Sequence, residues 1–163
     1  MELDKAQVLA ALRARVEEDL GRAMQAQKAT QAGATHEEAR PENDKDTRAL
    51  EQTYLARGLA ERVVALEEAR EALRNLRLRD LGPDDPVAVG ALVALEDEVG
   101  EQRSLYFITP HAGGVRIEVQ GVEVATVTPR APVGRALIGC HAGDDVRIRT
   151  PQGARELVVV EVG

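Results

Sequence analysis

The sequence predicts an α+β protein: an N-terminal antiparallel α-helical hairpin, a coiled coil, followed by a small β-rich domain with a short helix. Three observations predict it. Residues 1–80 are rich in Ala, Leu, Arg, Glu and Gln, all good helix formers, and hold Gly only at 21, 33 and 58 and Pro only at 41. Apolar residues in that half recur at steps of three and four, the spacing of one helical face. Beyond residue 86 the period falls to two, and Gly and Pro punctuate short runs.

Leu9, Leu12, Val16 and Leu20 mark the seam of the first helix. The break is expected between Gly33 and Asp46, where Gly33 and Thr35 can end and restart helix and Pro41 disfavours helix at Arg40. Leu55, Leu59, Val63, Leu66, Ala69, Leu73 and Leu76 mark the second seam. Each helix of about 30 residues spans roughly 45 Å, so a short connection holds the hairpin tip far from the other half. The domains expected are a hairpin over 1–80, a linker at Leu81-Gly82-Pro83-Asp84-Asp85-Pro86, and a C-terminal domain over 87–163. Expected β-runs in that domain are Val87–Leu95, Ser104–Thr109, Val115–Val119, Val122–Thr128, Asp145–Thr150 and Glu156–Val162. Pro132–Ile138 suits one or two helical turns, and Pro151-Gln152-Gly153 suits the turn of a final hairpin. The sheet should be mostly antiparallel.

Composition narrows the function. With 21 Lys+Arg against 28 Asp+Glu, the net charge of −7 argues against a generic nucleic-acid coat. Tyr54, Tyr106 and Phe107 are the whole aromatic set, too few for base-stacking platforms. A lone cysteine, Cys140, cannot close an internal disulfide and points to a reducing compartment. Met1-Glu2-Leu3-Asp4-Lys5 lacks the look of a secretory leader, and no apolar run approaches the roughly 20 residues of a membrane span. The expectation is a cytoplasmic protein with no membrane partner.

Glu37, Glu38, Glu42, Asp44 and Asp46 crowd the hairpin tip. They repel one another and do nothing for packing. One reading is a solvated cluster in which Asp44 and Asp46 favour the second helix's dipole. The other is cation binding: Mg²⁺ takes hard oxygen ligands and needs only one or two carboxylates when another macromolecule supplies the rest. Cys140-His141 is too close for a nucleophile–base pair and has no further Cys or His neighbours for a zinc site. Gly113-Gly114 is followed by a strand and not by Lys-Ser/Thr, so the chain has no phosphate-binding loop.

The ordered series Ala131-Pro132-Val133-Gly134-Arg135-Ala136-Leu137-Ile138-Gly139, Gly143-Asp144-Asp145-Val146 and Pro151-Gln152-Gly153 resembles the C-terminal signature of the Gre family of bacterial transcription elongation factors, GreA/GreB-type. Val89-Gly90-Ala91-Leu92-Val93 looks like that family's first C-terminal strand, and Pro41-Glu42-Asn43 resembles the Ser-Glu-Asn of its coiled-coil tip. The resemblance implies an FKBP-like C-terminal domain that binds bacterial RNA polymerase, with contacts from Pro132, Gly134, Arg135 and Asp144; Arg135 reads equally as a residue of the fold. It implies a coiled coil inserted in the secondary channel, near the RNA 3′ end. There Glu42, Asp44 and Glu38 would be the catalytic carboxylates, with Glu42 and Asp44 on a metal only in the complex. Such a protein is not an enzyme and has no cofactor of its own; it lends carboxylates to the polymerase, and the Mg²⁺ is shared. One departure stands out: cleavage-supporting members carry an Asp three residues before the tip Glu, where this chain has Ala39, and Glu38 is one residue out of register. The alternative is therefore a non-cleaving homologue that modulates or inhibits polymerase by occupying the channel. A stand-alone prolyl isomerase, suggested by the shared fold, would need an aromatic-lined proline pocket, and only Tyr106 and Phe107 are at hand.

Overall fold

The structure, a computed structural model, describes residues 3–37, 45–98, 100 and 102–163, and the side chains of all of these except 34–37, 45, 46 and 150. Helix α1 runs Lys5–Glu37 and α2 runs Lys45–Asn75. Asp4 caps α1: its Oδ1 accepts the Ala6 N–H at 2.9 Å and its carbonyl accepts the Val8 N–H at 3.1 Å. Arg13 of α1 meets Leu73 of α2, and Glu17 meets Arg70, so the helices are antiparallel.

Gly33 and Thr35, expected to interrupt the first helix, lie inside it. One helical glycine costs about 1 kcal/mol, too little to end a run flanked by Ala and Gln. The second helix stops at Asn75 for a reason far away in sequence. Arg13 Nε and Nη2 donate to the Leu73 carbonyl at 3.0 and 2.6 Å, and Nη2 to the Arg74 carbonyl at 3.4 Å. A guanidinium thus takes the place of the next helical turn for carbonyls that would otherwise lack donors. Leu76, expected to extend the seam, follows the helix and packs with Leu78 against the core.

Among the described residues the C-terminal half folds as one six-stranded sheet with a single short helix. Its elements are β1 (Leu92–Asp97), β2 (Arg103–Ile108), β3 (Arg116–Val119), β4 (Val122–Val127), α3 (Pro132–Leu137), β5 (Asp145–Thr150) and β6 (Gly153–Val162). The order across the sheet is β3-β4-β2-β1-β6-β5, antiparallel throughout except for the parallel pair β2/β4. The first expected run began at Val87, but the strand begins at Leu92. Gly90, at φ +92°, turns the chain, and Val87 instead exchanges backbone bonds with Gly139 and Cys140 at 2.9 and 2.8 Å. The last strand begins at Gly153, three residues before the expected Glu156.

Alternation along the strands sends side chains to two cores. On one face Leu92, Phe107, Ile117, Val119 and Val124 join Val8, Leu9, Leu12 and Leu73 of the hairpin base in a single cluster. On the other, Val93, Leu95, Ile108 and Val159 pack with Val87, Leu137, Val146 and Ile148. The sheet is thus the middle layer between the base of the hairpin and α3 with its flanking loops.

Candidate functional site

The tip carboxylates Glu38, Glu42 and Asp44 lie outside the described residues. The described helices of 33 and 31 residues each span about 45 Å. Among the described residues no group of three or more His, Cys, Asp or Glu side chains is placed to hold a metal.

The other expected site residues are described and lie in or next to α3. Pro132 opens this helix, where its missing N–H costs nothing. Gly134 is buried against the backbone of Thr128. A Cβ there would stand 1.9 Å from the Thr128 carbonyl oxygen, so only glycine lets the helix sit so low. That carbonyl also accepts the Ala131 N–H at 3.0 Å, and Leu137 anchors the helix from below, fully buried. With Gly134 and Leu137 turned inward, Pro132 and Arg135 are exposed. Arg135 forms no ion pair among the described residues, and its backbone N–H bonds to Ala131 within the helix at 2.9 Å. Ile138, which sequence reasoning did not single out, follows on the same short segment and is 40% exposed. Its signal was an apolar residue beside the inward Leu137, with no second buried layer for it to join.

Asp144 has a job in the fold. Its Oδ2 accepts the His141 N–H at 2.7 Å, closing the turn that carries the positive-φ Gly143 into β5. Burial, and next the Asp144 carboxylate, push the Cys140 thiol above its ordinary pKa. The thiol faces the Ala136 carbonyl at 3.2 Å, and Asp144 approaches His141 Nδ1 at 3.8 Å. A protonated, partly buried thiol is not a nucleophile, which agrees with the adjacent pair being structural.

Tyr106 and Phe107 point to opposite faces of β2, as neighbours in a strand must. Phe107 is buried against the hairpin base. Tyr106 lines a cleft of about 1040 Å³ whose rim is charged, where Arg116 pairs with Glu123 and Arg103 with Glu161. The two do not share an apolar pocket of the kind a prolyl isomerase needs.

A hairpin joined through its base to a sheet domain, with a short helix exposing Pro132 and Arg135 on that domain, defines a two-part class of protein: a helical arm on a sheet head. Residues 82–163 match the family model for the C-terminal domain of the transcription elongation factors GreA/GreB, and the chain belongs to that family. It is 35% identical over 95 residues to the transcription elongation factor GreB of Pseudomonas aeruginosa, covering 57% of this chain and 52% of that protein. It is 28% identical over 98 residues to the transcription inhibitor protein Gfh1 of Thermus thermophilus, covering 60% of each. The crystal structure of Thermus aquaticus Gfh1 aligns over 94% of both chains at 19% identity and a TM-score of 0.41. The chain spans about half the length of the first curated relatives it matches. Among the described residues no helix is long and apolar enough to cross a membrane.

Proposed function

We propose that the chain is a cytoplasmic transcription elongation factor that binds bacterial RNA polymerase through its C-terminal domain. In this reading the coiled coil occupies the secondary channel and the tip stimulates cleavage of backtracked RNA at its 3′ end. The observation that carries the reading is the exposed face of α3. The family signature converges there, and Pro132, Arg135 and, just past the helix end, Ile138 are exposed on a segment that Gly134 and Leu137 fix to the core. Gly134 and Asp144 shape that face, and Pro132 and Arg135 supply its contacts. The chain is not itself an enzyme. Glu42 and Asp44, assisted by Glu38, are the residues that would hold a Mg²⁺ shared with the polymerase, since hard carboxylate oxygens suit that ion. The ion, when bound, supplies charge stabilisation for water attack on a phosphodiester.

A second reading has its own support. Ala39 stands where cleavage-supporting members carry an acid, and one relative is named a transcription inhibitor. In that reading the hairpin fills the channel and slows synthesis without cleavage. Transcript cleavage on stalled elongation complexes separates the two. Under the first reading, weak cleavage rises with Mg²⁺, disappears in Glu42→Ala and increases in Ala39→Asp, with polymerase affinity nearly constant. Inhibited synthesis without cleavage at any Mg²⁺ concentration establishes the second. No binding to polymerase at all overturns both.

A further inference from the structure

We propose that the hairpin consists of two cooperative units, and that the distal one opens by itself while the proximal helices and the sheet stay folded. The buried seam ends abruptly. From the base it runs through Val8, Leu12, Val16, Leu20 and Ala23 on α1, and through Leu73, Ala69, Leu66 and Val63 on α2. Beyond Ala23 and before Val63 no described side chain is buried.

In this distal stretch the usual placement is reversed. Large apolar side chains point outward: Met24 is 49% exposed, Leu50 54%, Tyr54 65% and Leu55 56%. The half-buried positions are instead mostly polar or small: Gln27, Thr30, Gln52 and Ala60, with Leu59 the one large apolar side chain among them. Helical stability in proteins comes chiefly from packing an apolar face, so this stretch rests more on intrinsic propensity and on surface pairs such as Arg57 with Glu61. That propensity, otherwise good, is lowered at a few positions. Gly33 and Gly58 lie within the helices, and a Cβ at either would meet nothing within 4 Å, so neither glycine serves packing. Thr30 and Thr53 turn their hydroxyls back onto the Ala26 and Ala49 carbonyls at 3.0 and 2.8 Å, a bond that competes with the helix. The proximal stretch, by contrast, shares its core with the sheet and is tied by Arg13. Few buried contacts beside many is the condition for sub-global opening.

Native-state hydrogen exchange on the full chain, followed by mass spectrometry at rising sub-denaturing guanidinium, tests this. Amides of residues 24–36 and 46–62 should exchange together, with protection at least roughly tenfold below that of residues 8–20 and 66–73. The double variant Gly33→Ala/Gly58→Ala should raise distal protection by roughly thirtyfold and leave proximal protection unchanged. Equal protection along the whole hairpin, or a smooth decline from base to tip without a common opening, overturns the proposal. So does a double variant that raises both regions alike, because a single unit would share the gain.

Discussion

At the residue scale, Gly134 carries the sharpest demand. Its missing Cβ lets α3 rest on Thr128, and the obstacle is backbone oxygen, which has little room to yield. Gly134→Ala should cost about 3 kcal/mol by urea unfolding, at the upper end for an overpacked site. The neighbouring half-buried Val133→Ala should cost clearly less. Arg135 makes the opposite case. It is exposed and makes no ion pair among the described residues, so Arg135→Ala should leave stability within about 0.5 kcal/mol. The same substitution should weaken polymerase binding by roughly tenfold if Arg135 belongs to the contact surface. A stability loss without a binding loss would assign it to the fold. Cys140 gives a pH test. Its raised pKa means the thiolate forms only above the usual range, so alkylation by iodoacetamide should remain slow near neutrality. Its rate should rise with a midpoint above that of a free thiol, and Asp144→Asn should shift the midpoint down by removing one cause.

At the scale of elements, Arg13 joins two helices through the carbonyls of Leu73 and Arg74. Arg13→Ala should cost about 1–3 kcal/mol, and Arg13→Lys should recover only part, since an ammonium cannot offer the same fork of donors. Melting curves of the three proteins would show it. This contact also explains what the sequence could and could not reveal. Strand periodicity was readable because alternation is local: Asp145–Thr150 falls where the pattern put it, and so does the helix at Pro132. The end of α2 was not readable, because a residue 60 positions earlier sets it. Nor was the inversion of the outer hairpin. Leu55 continues the step of Leu59 and Val63, yet packing against the partner helix decides which side faces in, and Leu55 is exposed. The short helix was readable down to its proline position, whereas the exposure of Ile138 needed the helix's orientation. The tip residues Glu38, Glu42 and Asp44 were read from sequence alone.

At the scale of the whole molecule, head and arm are not independent pieces. Removing the hairpin would uncover Leu92, Phe107, Ile117, Val119 and Val124 together, and burying each such side chain is worth about 1.5–3 kcal/mol. A chain of residues 82–163 alone should therefore bind the dye ANS and run as oligomers on a sizing column. A monomer that unfolds cooperatively and binds no dye would show that the sheet does not need its cover.

The place of β6 in the sheet has a consequence for how the protein is made. β6 lies between β1 and β5, and the backbone of Gly163 exchanges hydrogen bonds with Leu92 at 2.8 and 2.9 Å. The ribosome delivers both long helices before the sheet, and their contacts can form early because each helix is local. Their apolar base must then wait for a sheet that stays incomplete until the last strand emerges. At about 5–20 residues per second, that wait is roughly 4–18 s after Asn75. During it, Val8, Leu9, Leu12 and Leu73 form a sticky patch on a nascent chain, the kind of surface that chaperones hold.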